Sequence, residues 1–170
     1  MPGVKLTDFV EKMNLKNATP DVDLAGKYLT VPDVNRPALQ LSGYFDHFDS
    51  ERVQIIGYVE NSYLQTLSLE RKKEIFAQML SYGVPCIIFT ADIHPEEELL
   101  KQANASNTPI FTTSKKASPL LAEVVRWLNV QMAPCISIHG VLVDVYGVGV
   151  LIRGESGIGK SEVALELIKR

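Results

Sequence analysis

Eight residues near the end of the chain, Gly154-Glu155-Ser156-Gly157-Ile158-Gly159-Lys160-Ser161, constrain this sequence more than any others. They fill the pattern GxxxxGK[ST] completely, a pattern that carries meaning only between a strand and a helix. Val148–Arg153 before it is a β-branched apolar run. The segment SEVALELIKR after it is rich in helix formers, and places Val163, Ala164, Leu167 and Ile168 on the face expected to meet a core. Strand, glycine-rich turn and helix predict a loop whose backbone N–H groups converge on an anion. Glycine at 154, 157 and 159 permits the backbone conformations this requires, and the helix start adds unpaired donors and partial positive charge. Lys160 is then expected to set its ammonium against β- and γ-phosphates, and the Ser161 hydroxyl to ligate Mg²⁺. A glycine-rich turn with a surface lysine is the bland alternative; it accounts for neither flank.

Upstream, the pattern alternates. Leu6, Phe9, Val10 and Met13 share one face of a short helix, and a loop-like stretch follows with Pro20, Pro32 and Pro37. Val53–Val59 reads as a strand. A helix over Leu69–Leu80 has Ser68 as N-cap, Gly83 as its stop, and Ile75, Phe76, Met79 and Leu80 as its buried stripe. Cys86–Thr90 reads as a buried strand and Pro95–Ala103 as a helix, with Glu96, Glu97 and Glu98 where the dipole favours negative charge. Ile110–Thr112 is a third strand. Ser118-Pro119 predicts an N-cap and first helical position for a helix running to Val130. Strands alternating with helices predict an α/β domain of three-layer type with a parallel sheet.

At Pro134 the texture changes, and Cys135–Arg153 is nearly all strand-like, with Gly140 and Gly147 marking bends or hairpin turns. The expected boundary therefore falls here, dividing an α/β domain at 1–131 from a second domain at 132–170. Only 36 residues follow Pro134, fewer than the roughly 50 a domain usually needs. The second domain is expected to be incomplete.

Composition excludes several classes. The 170 residues are 46% hydrophobic and 22% charged, with net charge −3, enough apolar material for a core and too little charge for a disordered chain. No stretch approaches the roughly 18 apolar residues of a membrane span. Asp8 and Glu11 stand where a signal peptide would be apolar, so a cytoplasmic location is expected. The mild acidity gives no footprint for nucleic acid. Cys86 and Cys135, far apart and in apolar runs, read as two buried free thiols.

His139 is the second site candidate. In the alternation Ile136, Ser137, Ile138, His139, it falls on the less apolar face of a strand feeding the glycine loop; by pattern alone it is a solvated strand histidine. His47 and His94 sit among polar loop residues and receive no role. Lys115-Lys116 reads as a solvated turn.

The run SIHGVLVDVYGVGVLIRGESGIGKSEVALELIKR resembles the bacterial HPr kinase/phosphorylase family closely, and NRPALQLSGYFDHFDSERVQIIG resembles the N-terminal part of the same family. The resemblance implies a bifunctional enzyme. Members use ATP or pyrophosphate to phosphorylate a regulatory serine of HPr, a carrier of the sugar phosphotransferase system, in carbon catabolite regulation. They also reverse the reaction with inorganic phosphate, releasing pyrophosphate. It implies that Gly154, Glu155, Ser156, Gly157, Ile158, Gly159, Lys160 and Ser161 form the nucleotide cradle. Lys160 and His139 would be active-site residues, and Ser161 a Mg²⁺ ligand. It further implies a homo-oligomer, a hexamer in the family, and an N-terminal domain like one in murein-precursor ligases. The family's catalytic base, its second Mg²⁺ ligand and its HPr-contacting loop would lie beyond Arg170. The chain is accordingly expected to be an inactive fragment, an N-terminal domain with the start of a kinase domain. Two rivals stay open: another phosphate-loop enzyme such as a small-molecule kinase, and a non-catalytic scaffold or ligand-sensing module.

Overall fold

The structure, a computed structural model, describes residues 3–169 and divides into two units, 1–133 and 134–170. In the first, the chain runs β1 (Val4–Lys5), α1 (Leu6–Met13), β2 (Lys16–Asn17), β3 (Tyr28–Leu29), β4 (Val34–Asn35), α2 (Ala38–Leu41) and β5 (Val53–Ile56). It continues through α3 (Tyr58–Leu64), α4 (Leu69–Ser81), β6 (Ile87–Phe89), α5 (Glu97–Ala105), β7 (Ile110–Thr112) and α6 (Ala117–Met132). The second holds β8 (Gly140–Val145), β9 (Val148–Arg153) and α7 (Lys160–Lys169).

Five strands of the first unit form one sheet in the order β2-β7-β6-β5-β4. The run β7-β6-β5-β4 is parallel and β2 is an antiparallel edge. A parallel sheet needs cover on both faces, and the period of two in its strands supplies apolar groups to both. Ile55, Ile88 and Phe111 face a layer made by α1 and α6, through Leu6, Phe9, Met13, Leu120, Val124 and Leu128. Ile56, Ile87, Phe89 and Ile110 face the opposite way, toward Ile75, Phe76, Met79 and Leu80 of α4 and Leu99 and Ala103 of α5. The expected three-layer α/β architecture is present. A small ribbon, β1 with β3, adds two antiparallel pairs.

Local signals hold where side chains act on their own neighbours. The Ser68 hydroxyl accepts from the Arg71 N–H at 3.3 Å and caps α4. Other boundaries move. The strand expected over Val53–Val59 stops at Ile56, and Tyr58 and Val59 open α3 with exposed side chains. The cause is Glu60, whose carboxylate turns back to accept from the Gly57 N–H at 3.0 Å and so fixes a helix start there. Helix α5 begins at Glu97, with Glu96 as cap, two residues later than expected. Helix α6 begins at Ala117 with Lys116 as cap, so Ser118 and Pro119 lie inside its first turn. Proline is tolerated there because first-turn N–H groups have no intrahelical acceptor. Lys115 is no free turn cation: its ammonium sits 2.6 Å from Glu123. Cys86 is buried, and burial pushes its thiol far above the ordinary range, whereas Cys135 is exposed, contrary to the expectation of two buried thiols.

Glu60 and Arg36 make a partly buried ion pair, with oxygens 2.8 and 2.9 Å from one guanidinium nitrogen. Burial alone would raise the Glu60 pKa; the hydrogen bonds from Arg36 and from backbone N–H groups outweigh it and hold it below the ordinary carboxylate value of 4.5. A carboxyl depressed in the folded state stabilises the fold above its unfolded pKa, and that contribution is lost as pH falls through the folded value. The wild-type chain is therefore expected to lose this contribution below its ordinary value, and Glu60→Gln to show a flatter slope across the same window. Urea midpoints measured at about pH 7 and about pH 3 decide it; parallel slopes would refute the assignment.

Candidate functional site

The second unit is built around a tight hairpin. Strands β8 and β9 pair antiparallel from Gly140↔Arg153 to Val145↔Val148, leaving Tyr146-Gly147 as a two-residue turn. Both turn residues have positive φ, 54° and 81°, as a primed hairpin turn requires. The Asp144 carboxylate accepts from the Gly147 N–H at 2.8 Å and locks it. Gly147 thus fulfils the turn expected from sequence. Gly140 is instead the first residue of β8, in close approach to the partner strand: a Cβ there would lie 2.9 Å from the Ile152 carbonyl oxygen.

From Arg153 the chain passes through the glycine loop into α7, the strand–turn–helix order expected. Gly157 and Gly159 take positive φ, 84° and 88°, conformations in which a side chain would be strained. Lys160, the first residue of α7, folds its side chain back over the loop and donates to the Gly154 carbonyl at 2.9 Å and the Glu155 carbonyl at 2.5 Å. The ammonium thus lies over the start of its own loop. Ser161 follows, exposed. Helix α7 buries Ala164 and half-buries Leu167, while Val163 and Ile168 are exposed, so the expected four-residue core face is only partly used. A two-stranded ribbon with strands about 4.8 Å apart is wide enough to cover one stripe of a helix.

His139 corrects a second expectation. Residues 135–139 are exposed and belong to no strand; His139 immediately precedes β8. The register explains this, because Gly140 already pairs with Arg153, the last residue of β9, and the loop begins at Gly154. That same register sets His139 opposite the start of the loop. A cavity of about 580 Å³ is lined by Ser137, Ile138, His139, Arg153, Gly154 and Glu155. The structure therefore brings His139 together with the first two loop residues; Lys160 and Ser161 do not line this cavity. Arg153 was not singled out from sequence, although the turn at Tyr146-Gly147 fixes the register that pairs it with Gly140. Among the described residues no cluster of three or more His, Cys, Asp or Glu side chains is placed to hold a metal ion.

An α/β layered unit followed by a strand, a glycine-rich GxxxxGK[ST] loop and a helix is the class that fold and motif define. Within it the chain belongs to the HPr serine kinase family: residues 4–128 match the family's "HPr Serine kinase N terminus" and residues 130–170 its "HPr Serine kinase C-terminal domain". It is 56% identical, over all 170 residues, to an HPr kinase/phosphorylase of Lachnoclostridium phytofermentans, covering 55% of that relative. It is 42% identical over 170 residues to one of Alkaliphilus metalliredigens, again covering 55% of it. A third, from Streptococcus thermophilus, is 40% identical over 95% of this chain and 52% of its own. The chain thus spans about half the length of the curated relatives it matches. Among solved structures, it resembles the CBS and DRTGG domains of the regulatory region of Clostridium perfringens pyrophosphatase, a complex with diadenosine tetraphosphate. The TM-score is 0.53 at 17% identity, over 74% of this chain and 47% of that one. At that identity the likeness concerns the fold alone. No helix among the described residues is long and apolar enough to cross a membrane.

Proposed function

We propose that the protein to which this chain belongs is a cytoplasmic, oligomeric enzyme that phosphorylates a serine of HPr. It does so with ATP or pyrophosphate, and reverses the reaction with inorganic phosphate. The observation that carries this reading is the 56% identity, over the full chain, to a relative named HPr kinase/phosphorylase. The positive φ of Gly157 and Gly159 and the folding of Lys160 back over the glycine loop support it.

On this reading residues 132–170 open the catalytic domain and Gly154–Ser161 hold the phosphates. The loop fits such a group: Gly157 and Gly159 adopt left-handed conformations and Lys160 already folds over the loop's start. Mg²⁺ often takes one or two protein oxygens and completes its shell with phosphate oxygens and water, so the Ser161 hydroxyl is a fitting ligand. Nucleotide and metal together would supply the phosphoryl group and neutralise its charge. Lys160 exchanges the Gly154 and Glu155 carbonyls for phosphate oxygens, the loop N–H groups orient the transferring group, and His139 accepts or donates a proton beside the loop's start.

Serine phosphorylation of HPr by the complete protein with ATP and Mg²⁺ is the direct test, and its absence would refute the reading. His139→Ala is expected to lower the rate in both directions by roughly 10²–10⁴-fold, the usual worth of a positioned acid–base group. The melting temperature should stay unchanged, because the side chain is exposed. Unaltered rates in both directions would make His139 a solvated surface residue.

A further inference from the structure

In the first unit the parallel strands β4, β5, β6 and β7 all end at the same edge of the sheet, where a cavity of about 550 Å³ opens. Arg36 follows β4, Tyr58 follows β5, Thr90 and Ala91 follow β6, and Lys116 and Ser118 follow β7; all line it. The chain leaves β6 for α5 on one face of the sheet and leaves β7 for α6 on the other. Loops that diverge in this way open a crevice beyond the carboxyl ends of the strands, where open α/β sheets bind their ligands.

The crevice is built rather than incidental. Its lining residues Arg36 and Ala117 meet closely at buried Gly57, where an added Cβ would lie 3.0 Å from the Ala117 Cβ, 3.1 Å from a Glu60 carboxylate oxygen and 3.4 Å from an Arg36 nitrogen. Its rim is pinned by the Ala91 N–H donating to the Lys115 carbonyl at 2.8 Å and the Asp92 N–H donating to the Thr113 carbonyl at 3.0 Å. Arg36 is oriented by buried Glu60 through one terminal nitrogen, so the rest of its donor fork is not engaged by that carboxylate. Lys116, unlike Lys115, is exposed at the cavity. Glu60 offsets the charge of Arg36, and Lys116 leaves the site net positive. Most of the remaining lining is apolar: the Tyr58 ring, which is 75% exposed, with Val59, Ala91 and Pro119.

We propose that this crevice binds a small aromatic phosphate of mononucleotide size. Donors from three separate segments (Arg36, Lys116 and the Ser118 hydroxyl) suit the three oxygens of a tetrahedral phosphate better than the two of a planar carboxylate. The apolar wall beside them takes a planar body, for which the Tyr58 ring is a stacking surface. A cavity of this volume is within the range of small-molecule sites. This goes beyond the proposed HPr reaction and does not depend on it, since no residue of the 154–161 loop takes part.

The test is titration of the isotope-labelled 170-residue chain with adenosine 5′-monophosphate, followed amide by amide. Shifts are expected at Tyr58, Thr90, Ala91, Ala117 and Ser118, and binding at Gly154–Ser161 is read separately. Lys116→Ala should weaken binding about tenfold, the worth of one charge-assisted hydrogen bond. Arg36→Ala should weaken it similarly. Because Arg36→Ala also strands Glu60, Arg36→Lys, which keeps that ion pair, serves as the folded control and should retain part of the affinity. Inorganic phosphate and adenosine should each bind more weakly at the same amides. No shifts at these amides up to millimolar ligand, adenosine binding as tightly as its phosphate, or an unchanged affinity in Lys116→Ala would each overturn the proposal.

Discussion

Lys160→Ala in the complete protein is expected to lower phosphoryl transfer in both directions by roughly 10²–10³-fold, the usual cost of losing one preorganised charge contact at a transferring group. The ammonium is already over the loop, 2.9 Å from the Gly154 carbonyl and 2.5 Å from that of Glu155. On the proposed reading it has only to exchange these acceptors for phosphate oxygens, with little reorganisation. Stability should not follow activity. Lys160 is the first residue of α7, where alanine is a good helix former, and the buried contact of that helix is Ala164. Rates of HPr phosphorylation and phosphorolysis, taken beside a thermal melt, separate the two effects. Normal turnover by a folded Lys160→Ala protein would remove the phosphate-cradle reading.

Phe111→Ala should produce the largest loss of stability, about 3–5 kcal/mol, as truncation of a buried phenylalanine does when its surroundings cannot collapse into the space. Phe111 is fully buried in β7, paired on one side with Ile88 of β6 and on the other with Asn17 of the edge strand β2. Its ring is clamped between the sheet and the α1/α6 layer, where Leu6, Phe9, Leu120 and Val124 are themselves fully buried. Denaturant unfolding followed by far-ultraviolet circular dichroism measures it. A loss under about 1 kcal/mol would mean that the α1/α6 layer is loosely packed and free to close the cavity.

Much of the fold was legible in sequence for a physical reason. Where a signal acts over four residues or fewer, it needs no partner elsewhere. Ser68 caps α4 through Arg71, the stripe of Ile75, Phe76, Met79 and Leu80 follows from helical spacing, and Tyr146-Gly147 makes its turn from local backbone preference. The glycine loop belongs here as well, since 148–169 carries its strand, turn and helix in one continuous segment.

Where the deciding partner is distant, the sequence misled or was silent. Tyr58 and Val59 look like strand residues, yet buried Glu60, anchored by Arg36 from 24 positions away, turns them into a helix. Residues 135–139 alternate like a strand, yet β9 has no further backbone to pair with them beyond Arg153. The two-residue strands β1, β2, β3 and β4 are too short for any period to show.

The sequence by itself determined the alternating α/β class, the principal helices, the hairpin turn and the phosphate-loop motif, because each is specified by neighbours along the chain. Only the tertiary structure decided the strand order with its antiparallel edge and the crevice shared by Arg36, Tyr58, Thr90 and Lys116. Each of these joins residues far apart in sequence. Their meeting is set by which apolar faces of the sheet are covered by which helices, and by the register in which the strands pair.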